Sequence, residues 1–184
     1  MQTIGRKGTF DSGHRVMNEC MKCFNVHGHT YMYELVFQFD SMQEIGYAID
    51  FKEIKRVGCQ WIDDMLDHGM LLNVKDQVLK DAVDALKSKM WIMSLNGMWG
   101  YCNPTVENIA KEIFLAMRAL FKGHQGLEIS EVILYETPNC YTVCKSGSIS
   151  VEEEKNWNKV RFDEVRKYAK EKGTIEYDDR KVQK

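Results

Sequence analysis

Apolar and polar residues alternate most clearly in the strand that the sequence predicts from His29 to Phe39. From Tyr31 onward its odd-numbered positions are aromatic or aliphatic and its even-numbered positions are mixed, which is the period-two pattern of a strand with one buried face. The same pattern predicts strands over residues 3–11, 127–136 and 140–145, the last two joined by a turn at 137–139. We expect residues 12–26 to be irregular.

Helical spacing recurs in three other parts of the chain. Apolar residues recur every three or four positions after Asp50 up to residue 68, and Asp50 with Glu53 has the spacing of a capping box. The strongest apolar stripe follows Pro104, which suits a first helical turn, and Gly123 ends it. Between residues 74 and 102 the first half has a helical pattern, whereas the second half has the composition of an apolar loop.

Composition narrows the class of protein. A chain of 184 residues with 44% apolar residues and two prolines predicts one globular domain with a real core. Its 25 basic and 27 acidic residues give a net charge of −2, which argues against nucleic acid or a membrane surface as a partner. No apolar stretch approaches the ~18 residues of a membrane span, and the first eight residues do not resemble a signal peptide. The six cysteines favour free thiols in a reducing cytoplasm over disulfides.

The end of the chain is much more charged than the rest. From residue 152 to 184, 10 residues are basic and 9 are acidic. A weak amphipathic stripe there predicts a helix that lies on the domain or on a neighbouring chain, and a solvated appendage is the alternative. We therefore expect a domain over residues 1–147, with an unusual insertion at about 74–102, and a charged, partly helical extension over 148–184.

Three of the five histidines could form a metal centre. Residues two apart on a strand share a face, so His27 and His29 can present two imidazoles side by side, and His14 joins them if the first and the long strand pair. Imidazole is a good zinc ligand, and three histidines leave the fourth position open, as a catalytic site requires. Two alternatives remain: three ordinary polar histidines, or a closed structural site in which Cys20 and Cys23 join His27 and His29.

Three further groups could act chemically beside such a centre. A thiol near a cation ionises readily, so Cys23 is a candidate general base. Asp67 and His68 could activate that thiol, although this pair is also an ordinary polar helix end. Glu136 ends a buried-strand pattern and is either a solvated strand end or an anchor for a ligand with two parallel N–H donors.

Six motifs, taken in order, resemble the 6-pyruvoyl-tetrahydropterin synthase family over roughly residues 3–145. They are Phe10-Asp11-Ser12-Gly13-His14-Arg15, Cys23 with His27-Gly28-His29-Thr30-Tyr31, Ile49-Asp50-Phe51, Leu66-Asp67-His68 with Leu71 and Asn73, Asn103-Pro104-Thr105 with Glu107-Asn108, and Glu136-Thr137. The three residues between Cys23 and His27 are similar to the 6-carboxytetrahydropterin synthase branch, which works in the queuosine and 7-deazaguanine pathway.

The resemblance implies an α+β tunnelling fold (T-fold) that forms the catalytic domain, residues 1–147. Its expected features are a four-stranded antiparallel sheet with two helices on one face, and a trimer-based homo-oligomer, often a hexamer, whose sheets form a barrel with active sites between subunits. By the same resemblance, His14, His27 and His29 match the zinc ligands. Thr105 and Glu107 lie in the motif that flanks the pterin pocket.

The resemblance also implies the roles of the remaining candidates. Cys23 matches the residue that abstracts a proton, Asp67 and His68 match its activating pair, and Glu136 matches the carboxylate that anchors the pterin ring. The implied reaction is zinc-dependent conversion of 7,8-dihydroneopterin triphosphate to 6-carboxy-5,6,7,8-tetrahydropterin, with loss of triphosphate and acetaldehyde. Alternatives are a 6-pyruvoyl-tetrahydropterin synthase, which eliminates triphosphate without cleaving the side chain, and a non-catalytic, zinc-stabilised binding module.

Overall fold

A six-stranded sheet organises the computed structural model, which describes residues 2–95, 102–124 and 126–173. The strands are β1 (Gln2–His14), β2 (His27–Phe39), β3 (Gly69–Leu72), β4 (Met90–Ile92), β5 (Leu127–Thr137) and β6 (Cys140–Lys145). Their order across the sheet is β4-β3-β1-β2-β5-β6. Neighbours among β1, β2, β5 and β6 pair antiparallel, whereas β3 runs parallel to β1 and β4 runs parallel to β3.

The sheet corrects the expected four-stranded antiparallel arrangement. Part of the 74–102 insertion lies between the two extra strands and part forms β4. Of β1, only the last three residues, 12–14, pair with β3. The apolar run that begins at Met90 was expected to be a loop, but it forms β4 because Trp91 is buried edge-on against Trp61, with ring centroids 5.3 Å apart. Residues 96–101 of that expected loop lie outside the described residues. The first strand is also longer than predicted, so that His14 ends it rather than following it.

Helices form in each part of the chain where the pattern predicts one: after Asp50, in the first half of 74–102, after Pro104 and near residue 152. They are α1 (Phe51–Glu53), α2 (Gln60–Met65), α3 (Gln77–Ala85), α4 (Val106–Leu120), α5 (Val151–Trp157) and α6 (Asp163–Glu171). A π-helical stretch, Ile54–Cys59, joins α1 to α2, and a second one, Asn158–Phe162, joins α5 to α6. Asp50 caps α1 by accepting the N–H of Lys52 at 2.8 Å, but Glu53 forms an ion pair with Arg56 instead of completing the predicted capping box. None of the described helices is long and apolar enough to span a bilayer.

Helix α4 is the central element of the core. It packs on the inner face of the sheet, where the alternating residues of β2, such as Leu35 and Phe37, are fully buried. Its opposite side is covered by α5 and α6, so that ten of its residues are buried. The helix predicted after residue 152 is therefore present and lies on the domain of its own chain. The division into a catalytic domain over 1–147 and an extension over 148–184 stays a prediction.

A single buried carboxylate connects α4 to the insertion and to the extension. Glu112 of α4 accepts the indole N–H of Trp157 at 2.8 Å and the backbone N–H groups of Ser94 and Leu95 at 2.5 and 3.2 Å. Burial raises the pKa of Glu112, while the hydrogen bonds from Ser94 and Trp157 oppose that rise. If the insertion or the extension moved away, the buried carboxyl group would lose its hydrogen-bond donors, which is energetically costly. This contact therefore stabilises the packing of both segments on the core.

Candidate metal centre and active site

The pairing of β1 with β2 brings the three histidines together. In the register of this ladder His14 lies opposite His27, and Ser12 lies opposite His29. Directly opposed residues of an antiparallel pair share a face, and so do residues two apart on one strand, so all three imidazoles emerge on the same face. Gly28 lies between the two histidines of β2, and a Cβ there would lie 3.1 Å from the carbonyl oxygen of Ser12.

The hydrogen bonds of two of these rings determine which nitrogen carries the proton. The Nδ1 atom of His14 donates to the carbonyl oxygen of Pro104 at 2.7 Å, and the Nδ1 atom of His27 donates to that of Asn25 at 2.7 Å. Since a carbonyl oxygen only accepts, both neutral rings keep a lone pair on Nε2. These two Nε2 atoms lie 3.1 Å apart. Two lone pairs at that distance repel each other unless a proton or a cation lies between them.

The residues fit a zinc ion. Tetrahedral zinc with bonds of about 2.0–2.1 Å to nitrogen requires about 3.3 Å between ligand nitrogens, close to the separation of the Nε2 atoms of His14 and His27. One ring nitrogen from each of His14, His27 and His29 lies within 4.8 Å of the others. Burial lowers the pKa of His14 to about 4, which keeps that imidazole in the neutral form that a metal requires.

The closed structural site does not form among the described residues. The sulfur atoms of Cys20 and Cys23 are not part of the group formed by the three imidazoles, and both cysteines are exposed. All six cysteines are free thiols, as their sequence context predicts. A zinc ion held by three imidazoles alone would have three protein ligands, which is the number of a catalytic rather than a closed structural site.

Glu136 lies at the mouth of the imidazole group and not at a solvated strand end. Its Oε1 atom is 3.8 Å from the Nε2 atom of His14 and 3.9 Å from that of His29. The register between β5 and β6 shifts between Tyr135 and Thr137, so that Glu136 is the bulged residue. A bulge redirects a side chain relative to the regular alternation of a strand. The carboxylate is therefore placed where it can accept hydrogen bonds from a ligand held beside the metal.

Cys23 lies in a short turn on the rim of the same face. One oxygen of the Glu19 carboxylate accepts the backbone N–H groups of Met21 and Phe24, at 2.7 and 3.2 Å, and so folds the segment around the thiol. The thiol is exposed. The backbone N–H of Val16, two residues beyond His14, donates to the carbonyl oxygen of Cys23 at 2.7 Å, which holds this segment beside the end of β1. The thiol itself is not part of the imidazole group.

Asp67 and His68 form an oriented acid–imidazole pair. The Nδ1 atom of His68 donates to Asp67 at 2.6 Å, and the other oxygen of that carboxylate accepts the backbone N–H of Asp11 at 2.7 Å. The hydrogen bond from Asp67 raises the pKa of His68. The side chain of Asp11, which is grouped with this pair, alternates with those of Ser12 and His14 and so points to the other face of β1. Within one chain the pair and the imidazole group therefore lie on opposite faces of the sheet.

The first turn of α4 borders the imidazole group. Pro104, which precedes the helix, supplies the carbonyl oxygen bound by His14. Thr105 is the N-cap residue, partly buried, and its side chain accepts no capping hydrogen bond. Glu107 is exposed in the first turn. The chain next to Thr105 thus contacts the imidazole group through the Pro104 carbonyl, whereas the role of Thr105 and Glu107 at the pocket stays a prediction.

The sequence pattern identifies Tyr31 only as a core residue. Its odd position on the apolar face of β2 assigns it to the core, and it is indeed fully buried. Its hydroxyl, however, has no hydrogen-bond partner among the described residues. The only sequence signal is its place two residues beyond His29, on the face that carries the histidines.

Comparison with known proteins identifies the family. The family described as 6-pyruvoyl tetrahydropterin synthase matches residues 3–147. A protein of Rickettsia felis is 36% identical over 140 residues, which cover 74% of this chain and 94% of that one, and a protein of Haemophilus influenzae is 28% identical over 147 residues, covering 77% and 96%. Both relatives are named 6-carboxy-5,6,7,8-tetrahydropterin synthase.

Solved structures show the same fold. An uncharacterized protein of Wolinella succinogenes matches with a TM-score of 0.62 and 20% identity, over 79% of this chain and 98% of that one. The 6-pyruvoyl tetrahydropterin synthase of Caenorhabditis elegans matches with a TM-score of 0.55 and 20% identity, over 79% and 95%.

The fold and the curated relatives together define an enzyme of the tunnelling-fold class that acts on pterins. The chain belongs to the 6-pyruvoyl tetrahydropterin synthase family. The resemblance drawn from the six motifs is confirmed, including its similarity to the 6-carboxy branch. The expected four-stranded sheet is wrong, because β3 and β4 extend it.

Proposed function

We propose that this chain is a zinc-dependent lyase that converts 7,8-dihydroneopterin triphosphate to 6-carboxy-5,6,7,8-tetrahydropterin, with loss of triphosphate and acetaldehyde. The reaction serves queuosine and 7-deazaguanine biosynthesis in the cytoplasm. The observation that carries the proposal is the pair of Nε2 atoms of His14 and His27, held 3.1 Å apart with their lone pairs facing each other. The names of the curated relatives support the substrate and the product.

In this proposal His14, His27 and His29 hold Zn²⁺. When bound, the ion supplies Lewis-acid polarisation of the substrate side chain and a template for its hydroxyl groups. The second hydrogen bonds of His14 and His27, to backbone carbonyl oxygens, orient the rings and keep the ligating nitrogens deprotonated.

The remaining residues bind the substrate and move its protons. The Glu136 carboxylate accepts two parallel N–H groups of the pterin ring, a bidentate contact that fixes the ring relative to the thiol. Thr105 and Glu107 flank the ring from the first turn of α4. The Cys23 thiolate removes a proton from the side-chain carbon, a general-base step that contributes about 10²–10⁴-fold to the rate. Triphosphate then leaves, and the two electrons that the side chain gives up reduce the dihydropterin ring to the tetrahydropterin. One water molecule adds to the side-chain carbon next to the ring as the bond to the second carbon breaks, so that the first carbon becomes the carboxyl group and the other two leave as acetaldehyde.

The Asp67–His68 pair requires a neighbouring chain to reach the thiol, because it lies on the other face of its own sheet. Two sheet edges support such an assembly. Within the described residues β3 covers β1 only at 12–14, which leaves the rest of that edge open, and β6 pairs only with β5. The open edges of β1 and β6 run in opposite directions, so β6 of one protomer can extend the sheet of the next antiparallel. We therefore propose a trimer-based ring, with each active site completed by His68 of an adjacent protomer.

Incubation of the zinc-loaded protein with 7,8-dihydroneopterin triphosphate, read by mass spectrometry, tests the function. We expect 6-carboxy-5,6,7,8-tetrahydropterin, triphosphate and acetaldehyde. A 6-pyruvoyl product without acetaldehyde would favour the alternative enzyme; a Dictyostelium discoideum protein named 6-pyruvoyl tetrahydrobiopterin synthase is 30% identical over 80 residues.

Removal of zinc by a chelator distinguishes a zinc enzyme from a non-catalytic, zinc-stabilised binding module. If zinc is catalytic, a chelator abolishes turnover while the circular dichroism spectrum of the fold is kept. Unfolding on chelation, with no turnover of the loaded protein, would instead indicate a structural zinc site.

A further inference from the structure

The hydroxyl group of Tyr31 is buried next to the candidate site. The residue is fully buried, yet its hydroxyl has no hydrogen-bond partner among the described residues. A buried hydroxyl without a partner is unfavourable, because the group has lost its bonds to water and gained none in exchange. Native structures leave few such groups, and those that remain call for a reason.

Packing does not explain this hydroxyl. The ring of Tyr31 stacks on that of Phe10, with centroids 4.9 Å apart and planes 13° apart, and this contact uses only the ring. A phenylalanine would make the same contact without burying an oxygen. The hydroxyl therefore costs stability at this position, which is typical of a residue kept for function.

The position of the hydroxyl relates it to the site. The ring of Tyr31 lies 5.7 Å from that of His29 and 6.1 Å from that of His14, measured between centroids. The Glu136 carboxylate lies 3.8 and 3.9 Å from the Nε2 atoms of those same two rings. A tyrosine hydroxyl is an O–H donor, so Tyr31 places a donor beside two imidazoles that the proposed ring anchor also faces.

We propose that the Tyr31 hydroxyl is a further catalytic group, which donates a hydrogen bond to an oxygen of the substrate side chain held beside the three imidazoles. The inference rests on the proposed function. Its physical basis is that the substrate oxygen supplies the partner which the free protein lacks, and that a preorganised donor stabilises negative charge developing on that oxygen as the proton leaves.

Tyr33 provides a matched control within the same strand. It is also buried and lies on the same face of β2, but it is two residues further from the histidines. Its hydroxyl interacts with Cys59 of the π-helical stretch, so it has a structural partner. Removal of this hydroxyl should therefore affect stability and not turnover, the opposite of what we expect for Tyr31.

The test compares Tyr31→Phe with Tyr33→Phe in the zinc-loaded protein. For Tyr31→Phe we expect an unchanged zinc content, a midpoint of urea unfolding equal to or above that of the wild type, and a kcat lower by about 10²–10³-fold with a smaller change in KM. For Tyr33→Phe we expect a lower unfolding midpoint and an unchanged kcat with 7,8-dihydroneopterin triphosphate.

The results that would contradict the role of Tyr31 differ from those that would contradict the proposed function. Full turnover by Tyr31→Phe would overturn the catalytic role while leaving the proposed function intact. A lower unfolding midpoint or a loss of zinc in Tyr31→Phe would show that the hydroxyl is structural, whatever the activity. If the wild type itself does not convert 7,8-dihydroneopterin triphosphate, the proposed function fails, and the role of Tyr31 fails with it.

Discussion

Replacement of Trp157 by phenylalanine tests whether the extension is part of the folded core. The indole N–H donates to the Glu112 carboxylate at 2.8 Å, and the ring is fully buried. Phenylalanine keeps an aromatic ring there but removes this donor from a buried carboxylate. Removal of one partner of a buried hydrogen bond costs about 1–3 kcal/mol, and the smaller ring leaves a void worth about 1 kcal/mol, so the free energy of unfolding should fall by about 2–4 kcal/mol.

Equilibrium urea unfolding, followed by circular dichroism, measures this change. We expect a lower midpoint with an unchanged m-value, because the surface exposed on unfolding is almost the same. Val160→Ala is the control: this side chain is 57% exposed in the same part of the extension and should shift the free energy by less than about 0.5 kcal/mol. A Trp157→Phe protein as stable as the control would refute the idea that Glu112 holds the extension on α4.

Three further predictions concern the site. His27→Ala should lose both zinc, measured by atomic absorption, and turnover. Cys23→Ala should keep its zinc but turn over about 10²–10⁴-fold more slowly. Intact turnover by Cys23→Ala would show that the thiol is not the general base. Asp67 raises the pKa of His68, so Asp67→Asn should lower that pKa toward its ordinary value. Because His68 must be neutral to accept a proton, the acid limb of the kcat/KM profile should then move to lower pH, and an unmoved imidazole titration by NMR would contradict the pairing. Gly28→Ala should reduce zinc content, because its Cβ would lie 3.1 Å from the carbonyl oxygen of Ser12; an unaltered zinc content would show that the strands can separate without harm to the site.

The grouping of the three imidazoles was predictable because it depends mainly on the alternation of side chains along a strand. The period of two places His27 and His29 on one face whatever the rest of the chain does. That His14 joins them depends on strand pairing, and the pairing also extends β1 beyond its predicted end. Local pattern could not show that extension, since its cause is the hydrogen bonds made to a different strand.

The parts that escaped prediction depend on contacts distant in sequence. Strand β4 has three residues, which is too short for an alternation to be scored, and its burial comes from Trp61. The bulge at Glu136 depends on how β6 pairs with β5. Periodicity likewise treats Tyr31 as a core residue, because it cannot show whether a hydroxyl will find a partner. The partners of Glu112 come from residues 94, 95 and 157, and no local pattern relates them.

Because His14 lies opposite His27, binding of the proposed zinc ion would depend on the correct alignment of β1 with β2. A slip of one residue between β1 and β2 would turn one set of imidazoles to the other face, and the ligand nitrogens could no longer converge. An ion that binds only the aligned ladder stabilises it by mass action over every misaligned competitor. Metal supply during synthesis would then influence how many chains mature correctly, before any substrate is present.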